Sequence, residues 1–136
     1  MKIGYTAGAF DLFHIGHLNL LSRAKSECDY LIVGVTTDEL IEKTKNKKPV
    51  IPFEERKLIV ENIKCVDKVV VQDDLDKVKA WKKLRYDVLF SGDDWKTSPR
   101  WQGYVSELSK HDVEVIFFPY TKTTSSSLLK EVLQKI

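Results

Sequence analysis

Short apolar runs alternate with longer amphipathic stretches along the whole chain, and few folds accommodate that rhythm. The runs Lys2–Thr6, Tyr30–Thr36, Lys68–Val71, Asp87–Ser91 and Glu114–Phe118 are continuously apolar at their centres, as strands covered on both faces must be. Between them, helices are predicted over Gly16–Lys25, Asp38–Lys43, Phe53–Ile63, Leu75–Leu84, Trp101–Ser109 and Ser125–Gln134. Pro52 precedes a helix start that carries Glu54 and Glu55, and carboxylates suit the positive end of a helix dipole. Ser125 or Ser126 can cap the last helix. Strict alternation predicts an α/β fold: a Rossmann-like, doubly wound, five-stranded parallel sheet with helices on both faces and right-handed crossovers. The 136 residues fit a single domain over 1–136, enough for one core and not two.

In such sheets ligands bind beyond the carboxyl ends of the strands. Gly8–His17, Thr36–Asp38, Gly92–Trp95 and Tyr120–Ser126 all fall there. The first stretch says most. His14 and His17, three residues apart at a helix start, share a face beside backbone N–H groups that have no partner inside the helix. The helix dipole adds positive potential, and Gly16 leaves the backbone open to close approach. Gly8, Gly16 and both histidines suit a site that grips a nucleoside triphosphate.

Other clusters read two ways. Lys43, Lys45, Lys47 and Lys48 form a loop that is either solvated surface or a rim that meets phosphates. Gly92-Asp93-Asp94-Trp95 is either a turn with a partly buried indole or a place where a base lies against the backbone. Arg56 offers a fork for phosphate, or pairs on the surface with Glu55 or Glu61. Asp67 can cap a turn.

Composition bounds the function. The net charge of +2 is too small to argue for a nucleic acid or a membrane surface. No apolar run approaches the length of a membrane span, and Met1–Tyr5 already reads as strand, with no leader pattern. Cys28 and Cys65 have no motif spacing and read as half-buried thiols in a reducing, cytoplasmic setting.

The string Gly8-Ala9-Phe10-Asp11, then His14-Ile15-Gly16-His17, resembles the signature G-x-F-D-x-x-H-x-G-H of the nucleotidylyltransferase superfamily, and the match is complete. Gly92-Asp93-Asp94-Trp95 resembles the glycerol-3-phosphate cytidylyltransferases within it. Thr37-Asp38-Glu39 and the segment from Phe53 to Val69 are similar to theirs too. The likeness runs from Met1 to about Leu129.

This resemblance implies transfer of a cytidylyl group from CTP to a small alcohol phosphate, glycerol 3-phosphate first, with release of pyrophosphate. The attack is direct and in line, without a protein nucleophile. It assigns catalysis to His14, His17, Lys45, Lys47 and Arg56. Nucleotide binding falls to Gly8, Ala9, Phe10, Gly16, Gly92, Asp94, Thr121, Ser125 and Ser126. Acceptor binding falls to Asp11, Asp38, Lys64, Asp67, Trp95, Tyr120 and Lys122. Mg²⁺ or another divalent cation is expected with the triphosphate, with no ligands assigned, and a homodimer is expected with the Lys64–Asp67 segment near the partner. Three positions depart from the family pattern: Ala9 replaces a common Thr, Tyr120 an Arg, and Lys122 an acid. Ser125-Ser126-Ser127 is similar to the start of the last helix of phosphopantetheine adenylyltransferase, which leaves ATP as an alternative donor. Another polyol or amino-alcohol phosphate is the alternative acceptor.

Overall fold

A computed structural model of the chain describes residues 1–119 and 126–135. The five predicted strands form one parallel sheet: β1 (Ile3–Gly8), β2 (Tyr30–Thr36), β3 (Lys68–Gln72), β4 (Val88–Gly92) and β5 (Glu114–Phe118), in the order β3-β2-β1-β4-β5. The chain therefore builds outward from β1 to β3, then crosses back to lay β4 on the other side of β1. That reversal opens a crevice at the carboxyl ends of β1 and β4.

Alternate side chains pack the two faces of this one sheet. Leu31, Val33 and Val35 of β2 with Val88 and Phe90 of β4 pack under α1 (Ile15–Ser26) and α3 (Phe53–Glu61), which contribute Leu21, Ala24 and Val60. Tyr5, Ile32 and Leu89 face the opposite way, against α4 (Lys77–Leu84) and α5 (Pro99–Ser109) with Trp101 and Leu108. Gly4 is set by this packing, because a Cβ there would lie 2.5 Å from the Phe90 ring and 2.7 Å from Cys28 Sγ.

The amino ends of β1 to β4 share one device. Asp29, Asp67 and Asp87 each stand directly before a strand. Each accepts a backbone N–H from the adjacent strand, at Lys2 (2.7 Å), Leu31 (2.7 Å) and Ile3 (2.8 Å). Each also donates its own N–H to the carbonyl of that same residue. A parallel ladder leaves such end groups without strand partners, and the aspartates supply them.

Element ends shift from expectation for local reasons. α2 (Asp38–Lys45) runs two residues past the predicted Lys43 and stops where Asn46 turns left-handed, φ 56°. Lys43 and Lys45 therefore belong to a helix, and not to the lysine loop read from the sequence. α4 starts at Lys77, not Leu75, because the Asp76 carboxylate caps Val78 and Lys79 N–H. α5 starts earlier, with Pro99 at its first position. The last helix, α6, spans Ser126–Gln134.

Candidate active site

The loop from β1 to α1 is bent twice into the left-handed region, at Phe10 (φ 52°) and Leu12 (φ 52°). Non-glycine residues hold that conformation only when their surroundings impose it. Phe10 is buried in the core, and Asp11 is buried beside it. The Asp11 carboxylate accepts N–H bonds from Val50 (2.8 Å) and Ile51 (2.9 Å), which ties the segment after α2 to the loop. Burial pushes the Asp11 carboxyl up, but these N–H groups and the Lys130 ammonium together hold it below the usual carboxylate range.

The two histidines build the start of α1. His14 stands just before the helix, and its Nδ1 accepts the Gly16 N–H at 3.0 Å. His17, in the first turn, accepts the His14 N–H on its own Nδ1 at 3.1 Å. This is a capping box written in imidazole. An Nδ1 that accepts carries no hydrogen, so each neutral ring bears its proton on Nε2. Burial keeps His14 below its ordinary value. In His17, burial first and then the neighbouring His14 ring hold the pKa down at about 4, against the pull of Asp11. The rings lie 3.9 Å apart between centroids, giving two adjacent neutral N–H donors. Such rings donate hydrogen bonds; they do not ligate metal. Among the described residues, no three His, Cys, Asp or Glu side chains gather into a metal site.

Among the described residues, two clefts can be traced at the carboxyl ends of the strands. The first, about 590 Å³, is floored by Ala7–Asp11 and walled by His17, Leu20, Ile41, Lys45, Lys47 and Lys130. The second, about 490 Å³, shares Ala7–Ala9, Ile41 and Lys45 with the first and extends over Thr36, Gln72 and Ser91. Its wall includes Lys77 and the aromatic side chains of Trp95, Trp101 and Tyr104. Lys45 thus stands at the junction, its pKa drawn down by burial and by Lys130 and Lys47 beside it. Burial lowers Lys77 to about 8, although Asp76 and Asp74 oppose it. Its ammonium lies 5.7 Å from the centre of the Trp101 ring.

Several assignments from the sequence need correction. Arg56 is wholly buried and does not face either cleft. Its Nε donates to Ile51 O (2.8 Å), its Nη1 to Ala9 O (2.7 Å) and Thr36 O (2.8 Å), and its Nη2 to Asp38 (2.6 Å). A guanidinium so engaged holds loops together; it does not grip phosphate. Asp38 is correspondingly its partner and the cap of Phe53 N–H (3.3 Å), and not an acceptor ligand. Asp67 bonds Leu31 N–H and Lys25 (2.5 Å) at the amino end of the sheet, opposite the histidines within one chain. Lys64 is exposed just before it.

Gly92 ends β4, where a Cβ would lie 2.8 Å from the Asp94 carboxylate, and Asp94 is exposed in the following 3₁₀ turn. Neither lines the two clefts, although Trp95 does. Tyr120, Thr121, Lys122 and Ser125 lie outside the described residues, as does the side chain of Ser126. Lys77 and Lys130 were not foreseen. The Asp76 cap places Lys77 just after β3, a signal present in the sequence; Lys130 reaches the cleft from the far end of the chain.

A family model described as cytidylyltransferase-like matches residues 5–132. The chain is 39% identical to the glycerol-3-phosphate cytidylyltransferase of Bacillus spizizenii over 132 residues, covering 96% of each chain. It is 36% identical to that of Bacillus subtilis over 138 residues, again 96% of each. Among solved structures, the lipopolysaccharide core biosynthesis protein of Thermoplasma volcanium superposes with a TM-score of 0.74 at 24% identity, over 91% of this chain and 99% of that one. The pantoate–β-alanine ligase of Francisella tularensis superposes at 0.71 with 17% identity, over 96% of this chain and 65% of that one. These likenesses bear on the fold alone.

Proposed function

The chain belongs to the cytidylyltransferase-like family, and from that premise we propose that it transfers the cytidylyl group of CTP to glycerol 3-phosphate, giving CDP-glycerol and pyrophosphate. An oxygen of the acceptor phosphate attacks the α-phosphorus in line. The bond from that phosphorus to the bridging oxygen breaks, and pyrophosphate leaves with the electron pair. No side chain is attached covalently, so catalysis is positioning and neutralisation of developing charge.

The observation that carries this chemistry is the pair of Nε2–H donors left when His14 and His17 commit Nδ1 to the helix start. They are suited to the α-phosphate and bridging oxygens. The backbone of Gly8, Ala9 and Phe10, with Lys45 and Lys47, supports a triphosphate in the first cleft, and Gly16 remains proposed for nucleotide binding at the start of α1. The second cleft suits the acceptor: Lys77 would hold its phosphate, Trp95 would border its polyol, and Lys45 would serve both ligands. Mg²⁺ enters as the counter-ion of the substrate CTP. Gly92 and Asp94 remain proposed for the cytidine end, Thr121, Ser125 and Ser126 for the phosphates, and Tyr120 and Lys122 for the acceptor. The adenylyl alternative lacks the support that two curated relatives lend to CTP.

A homodimer remains part of the proposal, supported by the exposed apolar side chains of Leu58 and Ile59 on α3 and Val71 on the edge strand β3; light scattering on the purified protein tests it. No helix of the described residues is long and apolar enough to cross a membrane, and the reading places the reaction in the cytoplasm.

Pyrophosphate release, measured for CTP, ATP, GTP and UTP against a panel of alcohol phosphates, tests the function. CTP with glycerol 3-phosphate should give the highest kcat/KM, with CDP-glycerol identified by mass. Absence of turnover with that pair, or a preference for ATP, would refute it.

A further inference from the structure

We propose that Lys130 of α6 is a nucleotide-binding residue of the first cleft, held on Asp11 while the cleft is free and donated to the triphosphate when nucleotide binds. This rests on the reading of the first cleft as the nucleotide site. Lys130 Nζ lies 2.9 Å from Asp11 Oδ2, with side-chain exposures of 22% and 4%. The ammonium therefore sits inside the cleft, where Lys45 and Lys47 also line the wall.

Lys45 and Lys47 share this cleft with the Lys130–Asp11 pair, and Asp11 already accepts the N–H groups of Val50 and Ile51. Those two bonds keep the carboxylate satisfied when Lys130 turns away, so the transfer strands no buried charge. The mutual presence of the lysines is felt: Lys130 is the leading charge, after burial itself, that holds Lys45 below its ordinary value. A structural ion pair alone would gain nothing from two further lysines beside it. A polyphosphate relieves their repulsion and gives each ammonium an oxygen to bond.

The test uses the full chain with Lys130→Gln and Lys130→Arg. Calorimetric titration with inorganic tripolyphosphate and with CTP–Mg²⁺ reads binding, steady-state kinetics reads turnover, and ligand-free melting reads stability. Lys130→Gln keeps a hydrogen bond to Asp11 but no charge. It should weaken tripolyphosphate and CTP binding about tenfold, the size of one lost charge-assisted bond. KM for CTP should rise with it, while KM for the acceptor and ligand-free melting stay near wild type. Lys130→Arg should recover most of the affinity. Wild-type affinity in Lys130→Gln would overturn the proposal. So would a loss of affinity that follows a fall in melting temperature in both variants, or indifference of wild type to both probes. If wild type binds CTP but releases no pyrophosphate with any acceptor, the proposed reaction fails while the binding comparison still decides the role of Lys130.

Discussion

Each imidazole of the His14–His17 pair has one nitrogen committed to the backbone, which reduces its remaining chemistry to a single aimed N–H. Removing such a donor costs ~10²–10³-fold in rate in comparable sites, so His14→Ala and His17→Ala should lower kcat by about that factor with KM for CTP changed far less. Near wild-type kcat in either variant would clear that residue of the role. A second consequence concerns pH. The folded chain holds His17 at about 4, against 6.5 for an ordinary histidine. Between these values the unfolded chain takes up the proton and the folded chain does not. The stability contribution is therefore complete above about pH 6.5 and is lost as pH falls toward 4, on the order of 3 kcal/mol in all. His17→Gln retains an acceptor for the His14 N–H and should flatten the fall. Urea melts from pH 7.5 to 4.5 measure it, and parallel slopes for the two proteins would show that His17 titrates as an ordinary histidine. The sequence marks both residues by motif. Their tautomer was also implicit, in the spacing of a capping box, but only a helix beginning at Ile15 makes that spacing meaningful.

At the scale of elements, Arg56 joins α3 to the ends of β1 and β2 by bonding three carbonyls and one carboxylate with no exposure to water. Removing one partner from a buried, charge-paired network costs ~3–5 kcal/mol. Arg56→Ala should lower unfolding stability by about that much, and Arg56→Lys by a large part of it, since an ammonium cannot span four acceptors. If Arg56→Lys instead melts like wild type and raises KM for CTP, the phosphate assignment returns. The sequence offered Arg56 in a family-like segment, and a guanidinium suits phosphate and carbonyl oxygens alike; only the fold decides between them. Asp67 carries the opposite lesson. Cys28-Asp29-Tyr30, Val66-Asp67-Lys68 and Tyr86-Asp87-Val88 share one pattern, an aspartate directly before a strand. That repetition marked a structural role without any structure, while the family likeness drew Asp67 alone toward the ligand.

For the whole molecule, the alternation of strands and helices implied the parallel sheet, and the crossover rule implied a crevice at its carboxyl edge. Strand order was not visible, and with it the division of the crevice into two clefts that meet at Lys45. Lys77 belongs only to the second cleft, and that separation can be measured. Its pKa of about 8 leaves the ammonium charged at lower pH and neutral as pH rises through that value. An anionic acceptor should therefore bind progressively worse above pH 8, approaching a tenfold rise in KM per pH unit if the charged lysine is required. KM for CTP should change much less, because Lys77 does not line the nucleotide cleft. Lys77→Arg keeps its charge throughout and should flatten the acceptor profile whatever its absolute KM. Steady-state kinetics from pH 7 to 9.5, each substrate varied with the other saturating, separates the outcomes. A parallel rise in both KM values, or an acceptor profile that is the same in wild type and Lys77→Arg, would show that the acceptor phosphate is held elsewhere.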